Sequence, residues 1–419
     1  AVRLGLTYAE APTGDRTANL RRALDFYEKA AEVFDPRYDP VEHARVMTLA
    51  GAAQGALGDP ALAARLFEKA VGLLDGRDRD DELAAALNNL GLARGGMGQP
   101  AKAIEVFDRA VDLFASTTAD GRRGRVATLV NRGQAHASLG TDEGLEAALA
   151  DYEQARSEVD PEEAPFHYGL VHHSLGVACS ALAAARPAER HRLYEEAVPA
   201  FTESLTVFTR AAMPFQYALA KHNLGLAHAA LARSEEASPR SSVLNRRLAL
   251  ACFEDAVGVL DPRVHADAWK QAYASLEREE RELEEAFPRA GRAAHFAALL
   301  ASVPAEHRSR HLRERLLRLL SQPPTNARHT LLTELALAVA RLDTERSRQI
   351  IESELKVVME LPTEAQEAVL RARYEAHRHL GDDAEAADMA LDEAIGGALG
   401  GPQRVYVRDF LYSIGWERP

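Results

Sequence analysis

Residues that could carry catalysis are few and scattered in this 419-residue chain. His307 and His311 are four apart on a predicted helix, a spacing that suits a transition metal, but no third ligand accompanies them. Cys179 lies inside a predicted helix, where a cysteine–histidine pair would have neither an exposed thiolate nor a third orienting group. No phosphate loop, nucleophile elbow, paired-cysteine metal motif or HExxH sequence occurs. The sequence therefore predicts no catalytic residue, no metal site and no cofactor.

Amide and hydroxyl side chains recur instead at one position of a repeated pattern. Two residues before each of four spaced glycines lie Asn89, Asn131, Ser174 and Asn223, and close to this column lie His173, His222 and Gln134. An asparagine amide both donates and accepts a hydrogen bond, so it can pair with one peptide unit without reading the peptide's side chain. The alternative is structural: these asparagines hold adjacent repeats together.

The elements that must position this column are helices. In each of six repeats a small residue is followed four positions later by an aromatic ring, and a glycine precedes both. The glycines are Gly5, Gly51, Gly91, Gly133, Gly176 and Gly225, and the rings are Tyr27, Phe67, Phe107, Tyr152, Phe201 and Phe253. Spacings of three, four and seven residues share one helix face. The pattern predicts helix pairs that approach closely through small residues, with the ring filling the gap.

Turn signals separate the two helices of a pair. Examples are Gly58-Asp59-Pro60, Gly98-Gln99-Pro100 and Gly140-Thr141-Asp142. A glycine in the positive-φ region followed by a helix-starting residue is what a tight helix-to-helix turn requires.

This pattern resembles the tetratricopeptide repeat family. The best match runs from Asn88-Asn89-Leu90-Gly91-Leu92-Ala93 through Gly98, Ala103, Phe107 and Ala110. The glycines are 40 to 49 residues apart, so the repeats are longer than the family's period of about 34 residues. The resemblance implies an all-α fold, a right-handed α-solenoid of about six helix pairs followed by C-terminal helical hairpins.

The resemblance also implies a binding site. In this family the first helices of the pairs line a concave surface, and side chains at the asparagine column often contact the backbone of a bound peptide. The implied peptide-binding residues are Asn89, Asn131, Gln134, His173, Ser174, His222 and Asn223.

Composition limits the partners and the compartment. A net charge of −13 argues against nucleic acid or an anionic membrane as the main partner. No stretch approaches the roughly 20 apolar residues of a membrane span, and only two cysteines occur, so we expect a soluble, cytoplasmic protein without disulfides. Arginines outnumber lysines 44 to 6, which is typical of a high-GC bacterial genome. In the repeat register, the helix that carries Gly5 would begin almost before Ala1, so we expect either a frayed first turn or missing upstream residues.

The repeat pattern ends near residue 264, and three domains are predicted. Residues 1–263 form the repeats, residues 264–322 form a charged helical segment, and residues 323–419 form helical pairs and a cap. A charged helix is expected from Ala266 to Phe287, and arginines alternate with leucines from Arg308 to Leu320. Such runs are usually solvated helix faces, with a docking or self-association helix as the alternative.

These observations favour a noncatalytic scaffold that holds a peptide or helix of a protein partner in the groove of the first helices. Two alternatives stay open. One is a regulatory sensor that responds to a peptide or a small molecule. The other is an enzyme built on the repeat fold with an unrecognised active site.

Overall fold

The computed structural model describes residues 1–11, 13–114, 118–286, 291–321 and 323–417. Within these ranges the chain forms twenty α-helices and no β-strand. The helices fall into two compact units, with unit 1 at residues 1–209 and unit 2 at residues 210–419. The predicted all-α fold is confirmed.

Unit 1 consists of five helix pairs, each with a first and a second helix. They are α1 (Val2–Ala9), α2 (Arg16–Val33), α3 (Pro40–Ala56), α4 (Pro60–Leu74), α5 (Asp80–Gly96), α6 (Pro100–Leu113), α7 (Ala119–Ala137), α8 (Asp142–Glu158), α9 (Pro165–Ala185) and α10 (Arg190–Val207). The two helices of each pair pack on each other, and the second helix also contacts the first helix of the next pair. The first helices contact each other in succession. This is the stacked-hairpin arrangement of an α-solenoid.

The glycine and aromatic columns hold each pair together. A Cβ atom added to Gly51, Gly133 or Gly176 would lie 2.4 to 2.7 Å from a ring carbon of the aromatic residue on the second helix. The ring therefore occupies the space that a side chain on the first helix would need, as the sequence predicted. Two further contacts of this kind lie outside the predicted columns. A Cβ atom at Gly124 would contact the ring of Phe114, and one at Gly169 would contact the ring of Phe208.

The predicted turns form where the sequence places them. Gly58, Gly98 and Gly140 have φ of +87°, +70° and +70°, values that residues with a Cβ rarely adopt. Pro60 and Pro100 then begin the second helices α4 and α6, where their missing N–H groups cost no hydrogen bond.

Unit 2 begins with the sixth predicted pair. Its helices are α11 (Pro214–Ala232), α12 (Pro239–Val257), α13 (Ala266–Ala286), α14 (Arg292–Ser302), α15 (Ala305–Leu320), α16 (Asn326–Ala340), α17 (Thr344–Val358), α18 (Thr363–Arg378), α19 (Ala384–Ala398) and α20 (Gly401–Ser413). Helix α13 packs on both α11 and α12, as the first helix of a next pair would. It corresponds to the expected charged helix, whose last residue, Phe287, lies outside the described residues.

Beyond α13 the packing changes. The closest backbone approaches join every second helix, α14 to α16, α15 to α17, α16 to α18 and α17 to α19. Neighbours along the chain contact each other less closely. The core here is mainly leucine, isoleucine and valine, with several alanines. At the end of this core Val407, Leu411 and Trp416 are buried, whereas Tyr412 is exposed. The predicted cap is therefore mainly aliphatic on α20, with Trp416 as its one fully buried ring.

The charged runs are solvated only in part. Glu279 of α13 is buried and pairs with Arg233 and Arg246. In α15 Leu312 and Leu316 lie in the core. The boundary between the two units lies inside the predicted repeat domain of residues 1–263. The predicted domain boundaries at residues 263 and 322 stay predictions, and residue 322 lies outside the described residues.

Candidate functional site

Four first helices of unit 1, α3, α5, α7 and α9, present similar side chains on one side, which we call the groove face. It consists of the residues six and two before, and one and five after, Gly51, Gly91, Gly133 and Gly176, positions that share one side of a helix. These residues are Arg45, Leu49, Ala52 and Ala56 on α3; Ala85, Asn89, Leu92 and Gly96 on α5; Ala127, Asn131, Gln134 and Ser138 on α7; and Leu170, Ser174, Val177 and Ala181 on α9. All except Ser174 are exposed or half-buried, and only Arg45 is charged.

A groove of about 440 Å³ opens on this face between α3 and α5. Its lining residues are Gly51, Ala52, Gly55, Pro60, Ala63, Phe67, Asn89, Leu92, Ala93 and Gly96. Small residues form the walls, because they leave the space between the two helices unfilled. Asn89 supplies the one polar side chain of the lining. An apolar cleft with a single oriented amide is typical of a binding site.

Asn89 has its amide available. In the part of the chain that the structure describes, its side chain has no hydrogen-bond partner, and it is a half-buried residue of the groove lining. This amide can therefore pair with the backbone of a bound peptide.

Asn131 is placed differently. Its Nδ2 donates a 2.9 Å hydrogen bond to Oδ1 of Asn88, which joins α7 to α5. This contact favours, at Asn131, the structural role that the sequence left open as the alternative. Its remaining donor and acceptor positions still lie on the groove face.

The other three predicted residues of unit 1 differ from each other in burial and packing. Gln134 is exposed on the groove face, whereas Ser174 is 7% exposed. The His173 ring packs against Phe201 and Phe208, with centroid distances of 5.7 and 6.5 Å. Burial lowers the pKa of His173 to about 4, so the ring is neutral at pH 7. Its packing favours a structural role.

His222 and Asn223 belong to unit 2, on helix α11. The Nε2 atom of His222 lies 3.2 Å from Oγ of Ser275 on α13, and its ring packs on Phe253. Burial lowers the pKa of His222, with Arg278 as a smaller cause. Asn223 is half-buried on α11, the helix that carries His222.

The groove face also has an apolar part that the repeat pattern did not predict. Leu92 and Val177 each follow a column glycine by one residue and are 47% and 43% exposed. Their common position was visible in the repeat register, but apolar residues there were not distinguished from core residues. In the structure they extend the apolar surface of α5 and α9 toward solvent.

Positive charge near the groove face is already neutralised. Arg132 donates to Asp151, which is buried, and to Asp108 at 2.7 Å. Arg45 lies 3.2 Å from Glu42 on its own helix. The face therefore offers apolar surface and amides rather than charge.

The two cysteines and His311 are poorly placed for chemistry. Burial raises the pKa of the Cys179 thiol to about 11 and that of the Cys252 thiol to about 12, so both stay protonated at pH 7. Burial, with Lys221 nearby, lowers the pKa of His311 to about 3. Within the described ranges, no three histidine, cysteine, aspartate or glutamate side chains are grouped to hold a metal ion. Among the described helices, none has the length and apolarity needed to cross a bilayer.

One family model matches part of the repeat pattern. Residues 84–117, which contain α6 and most of α5, match the tetratricopeptide repeat family model. The chain also shows a similarity to the crystal structure of BtubC (BKLC) from P. vanneervenii, at 15% identity over 64% of this chain and 92% of that one, with a TM-score of 0.41. A circular tandem repeat protein with novel repeat topology and enhanced subunit contact surfaces matches at 14% identity over 99% of this chain and 97% of that one, with a TM-score of 0.23. A comparison with curated proteins gives no match. The family match confirms the resemblance that the sequence predicts.

Proposed function

We propose that this tetratricopeptide-like repeat protein is a noncatalytic interaction module, and that unit 1 binds a segment of a protein partner on its groove face. Repeats of this family generally mediate protein–protein contacts. The observation that carries the proposal is the groove between α3 and α5, whose lining includes Asn89, an amide with no hydrogen-bond partner among the described residues.

The groove face also defines the chemistry of the partner. Because Arg45 is its one charged residue, a strongly charged segment would lose hydration without gaining ion pairs. An extended segment or helix with small apolar side chains would instead cover Leu92 and Val177 and fill the groove over Phe67. Its backbone would accept from or donate to the amide of Asn89.

Peptide selection tests this proposal and requires no identified partner. A random-peptide phage library is panned against the full chain, and each selected peptide is titrated by fluorescence anisotropy. We expect apolar, uncharged peptides whose affinity falls about tenfold or more with Leu92→Asp, because the new carboxylate would be desolvated in the complex.

Val33→Asp is the matched control. Val33 is also apolar and is 73% exposed, but it lies on the second helix α2. Peptides that bind wild type, Leu92→Asp and Val33→Asp equally would overturn the proposal, as would a selection that yields only charged peptides.

The alternative functions stay predictions. A regulatory sensor uses the same groove and differs only in its response to a ligand. An enzyme would need a cavity with reactive groups in usable ionisation states. Self-association through α15 is a prediction that light scattering can test; Leu317, 45% exposed, is the apolar residue of that helix available for it. The cytoplasmic location and the bacterial origin also stay predictions.

A further inference from the structure

Unit 2 contains a second cavity, of about 850 Å³, that the proposed function does not use. Helices α12, α13, α14, α15 and α16 contribute to its lining. The apolar part comes from leucines, alanines and a valine, among them Leu276, Leu319 and Leu335. Its volume lies within the range of about 300–1,000 Å³ that small-molecule sites occupy.

The charge of this cavity is opposite to that of the chain. Its lining includes five arginines, Arg210, Arg292, Arg315, Arg318 and Arg341, but only two acidic residues, Glu254 and Glu334. The lining therefore carries a net charge of +3, whereas the whole chain carries −13. A local excess of arginine in an acidic protein is not explained by average composition.

Three of these arginines have acidic partners. Arg315 and Arg318 both pair with the single buried carboxylate of Glu254, at 2.7 and 3.4 Å. Arg318 also lies 3.8 Å from Asp255 and packs over Gly258, where a Cβ atom would be 2.8 Å from its Cδ. Arg292 pairs with Glu280 outside the cavity.

The other two arginines have no carboxylate partner among the described residues. Arg210 donates to the carbonyl oxygen of Gly258 at 3.3 Å and to Oγ of Ser321 at 3.2 Å, both neutral groups. Arg341 follows α16 directly and is exposed at the cavity. Each guanidinium has five N–H donors in a planar fork, and most of these donors have no protein acceptor among the described residues.

We propose that this cavity binds a small organic anion with an apolar body, its phosphate or carboxylate head group held by Arg210 and Arg341. Guanidinium groups bind such head groups bidentately, and they keep their charge at any physiological pH. The leucines would cover the apolar body of the ligand. The proposal rests on unit 2 alone and does not depend on peptide binding by unit 1.

Four probes distinguish the possible ligands in isothermal titration and thermal unfolding of the full chain. Hexyl phosphate and heptanoate carry the two head groups on similar bodies, inorganic phosphate lacks the body, and hexanol lacks the charge. We expect hexyl phosphate, heptanoate or both to bind and to raise the melting temperature, more strongly than inorganic phosphate or hexanol.

The double variant Arg210→Gln/Arg341→Gln should weaken this binding about tenfold or more, since two charge-assisted hydrogen-bonding groups are lost. The matched control is Arg346→Gln, an exposed arginine of α17 that already pairs with Asp343. It should bind as wild type does. Melting temperatures without ligand show whether each variant folds.

Several outcomes would overturn the proposal. If hexanol bound as tightly as hexyl phosphate and heptanoate, the cavity would be apolar without selectivity for anions. If inorganic phosphate bound as tightly as they do, the apolar body would contribute nothing to binding. Absence of binding by both amphipathic anions at millimolar concentration would exclude the site. An unchanged affinity in the double variant would place the anion elsewhere.

Discussion

A Cβ atom on Gly91 of α5 would lie 2.4 Å from Cε1 of Phe107 on α6. The ring of Phe107 is 1% exposed, so it has no free space into which it can turn. The contact explains why a residue of poor helix propensity recurs in the middle of first helices. Here the missing side chain is replaced by a ring from the neighbouring helix.

Gly91→Ala should therefore destabilise the protein, although alanine is the better helix former. Overpacking of a filled core costs about 1–3 kcal/mol. Urea denaturation followed by circular dichroism would measure the change in the free energy of unfolding.

Gly95→Ala is the control on the same helix. No atom lies within 4 Å of a Cβ at Gly95, so the substitution should stabilise by about 0.5–1 kcal/mol. Equal effects of the two substitutions would contradict the role assigned to the Phe107 ring.

Alanine substitutions at the two groove asparagines, Asn89 and Asn131, should have different effects on stability and on peptide binding. Asn131→Ala removes the hydrogen bond to Asn88 and should lower the free energy of unfolding by about 1 kcal/mol. Asn89→Ala removes no hydrogen bond within the described residues, so it should leave stability unchanged and weaken the binding of selected peptides. Thermal unfolding and anisotropy titrations on both variants would measure this difference. A similar loss of stability at both positions would show that Asn89 is structural as well.

Unit 2 contains a buried ion cluster whose disruption should be costly. The Nζ atom of Lys221, 2% exposed, lies 3.1 Å from Asp255 and 2.5 Å from Glu314. Lys221→Met keeps the volume but leaves two carboxylates without their shared cation, which should destabilise by about 3–5 kcal/mol.

The control for this substitution is Arg313→Met, which breaks an exposed pair with Glu360 and should cost no more than about 1 kcal/mol. Adding Asp255→Asn and Glu314→Gln to Lys221→Met should restore part of the lost stability. A Lys221→Met protein as stable as wild type would show that the cluster contributes nothing net.

Acid should destabilise unit 2 through His228. Its Nδ1 lies 2.9 Å from Oδ1 of Asn245, and burial lowers its pKa to about 4. The unfolded chain, with a histidine pKa of about 6.5, takes up the proton first. Neutral His228 therefore contributes fully to the free energy of unfolding above about pH 6.5, and this stabilisation is lost as the pH falls toward 4. At pH 5.5 the loss is about 1 kcal/mol.

Measuring the free energy of unfolding at pH 7 and at pH 5.5 tests the expected acid destabilisation. The difference should shrink in His228→Gln and persist in His379→Gln, which changes an exposed histidine. An undiminished difference in His228→Gln would assign the acid sensitivity to other groups.

The repeats were predictable because their contacts are local. A column glycine and its ring lie 16 residues apart in the pairs Gly51–Phe67 and Gly91–Phe107, and the turn between the helices lies within this interval. Periodicity and turn chemistry therefore determine both helices and the face on which they meet. The groove face follows from the same register, since it is the opposite side of the first helices.

The amino-acid sequence by itself determined the helices, the six pairs and the position of Asn89 on an exposed face. Tertiary structure alone decided that Asn131 bonds to Asn88 of the neighbouring pair, that Lys221 meets Glu314 across 93 residues, and that Arg210 and Arg341 line one cavity. The physical reason is distance along the chain. Helical periodicity fixes which side a residue faces, but the angles and spacings at which separate helices pack decide which side chains meet.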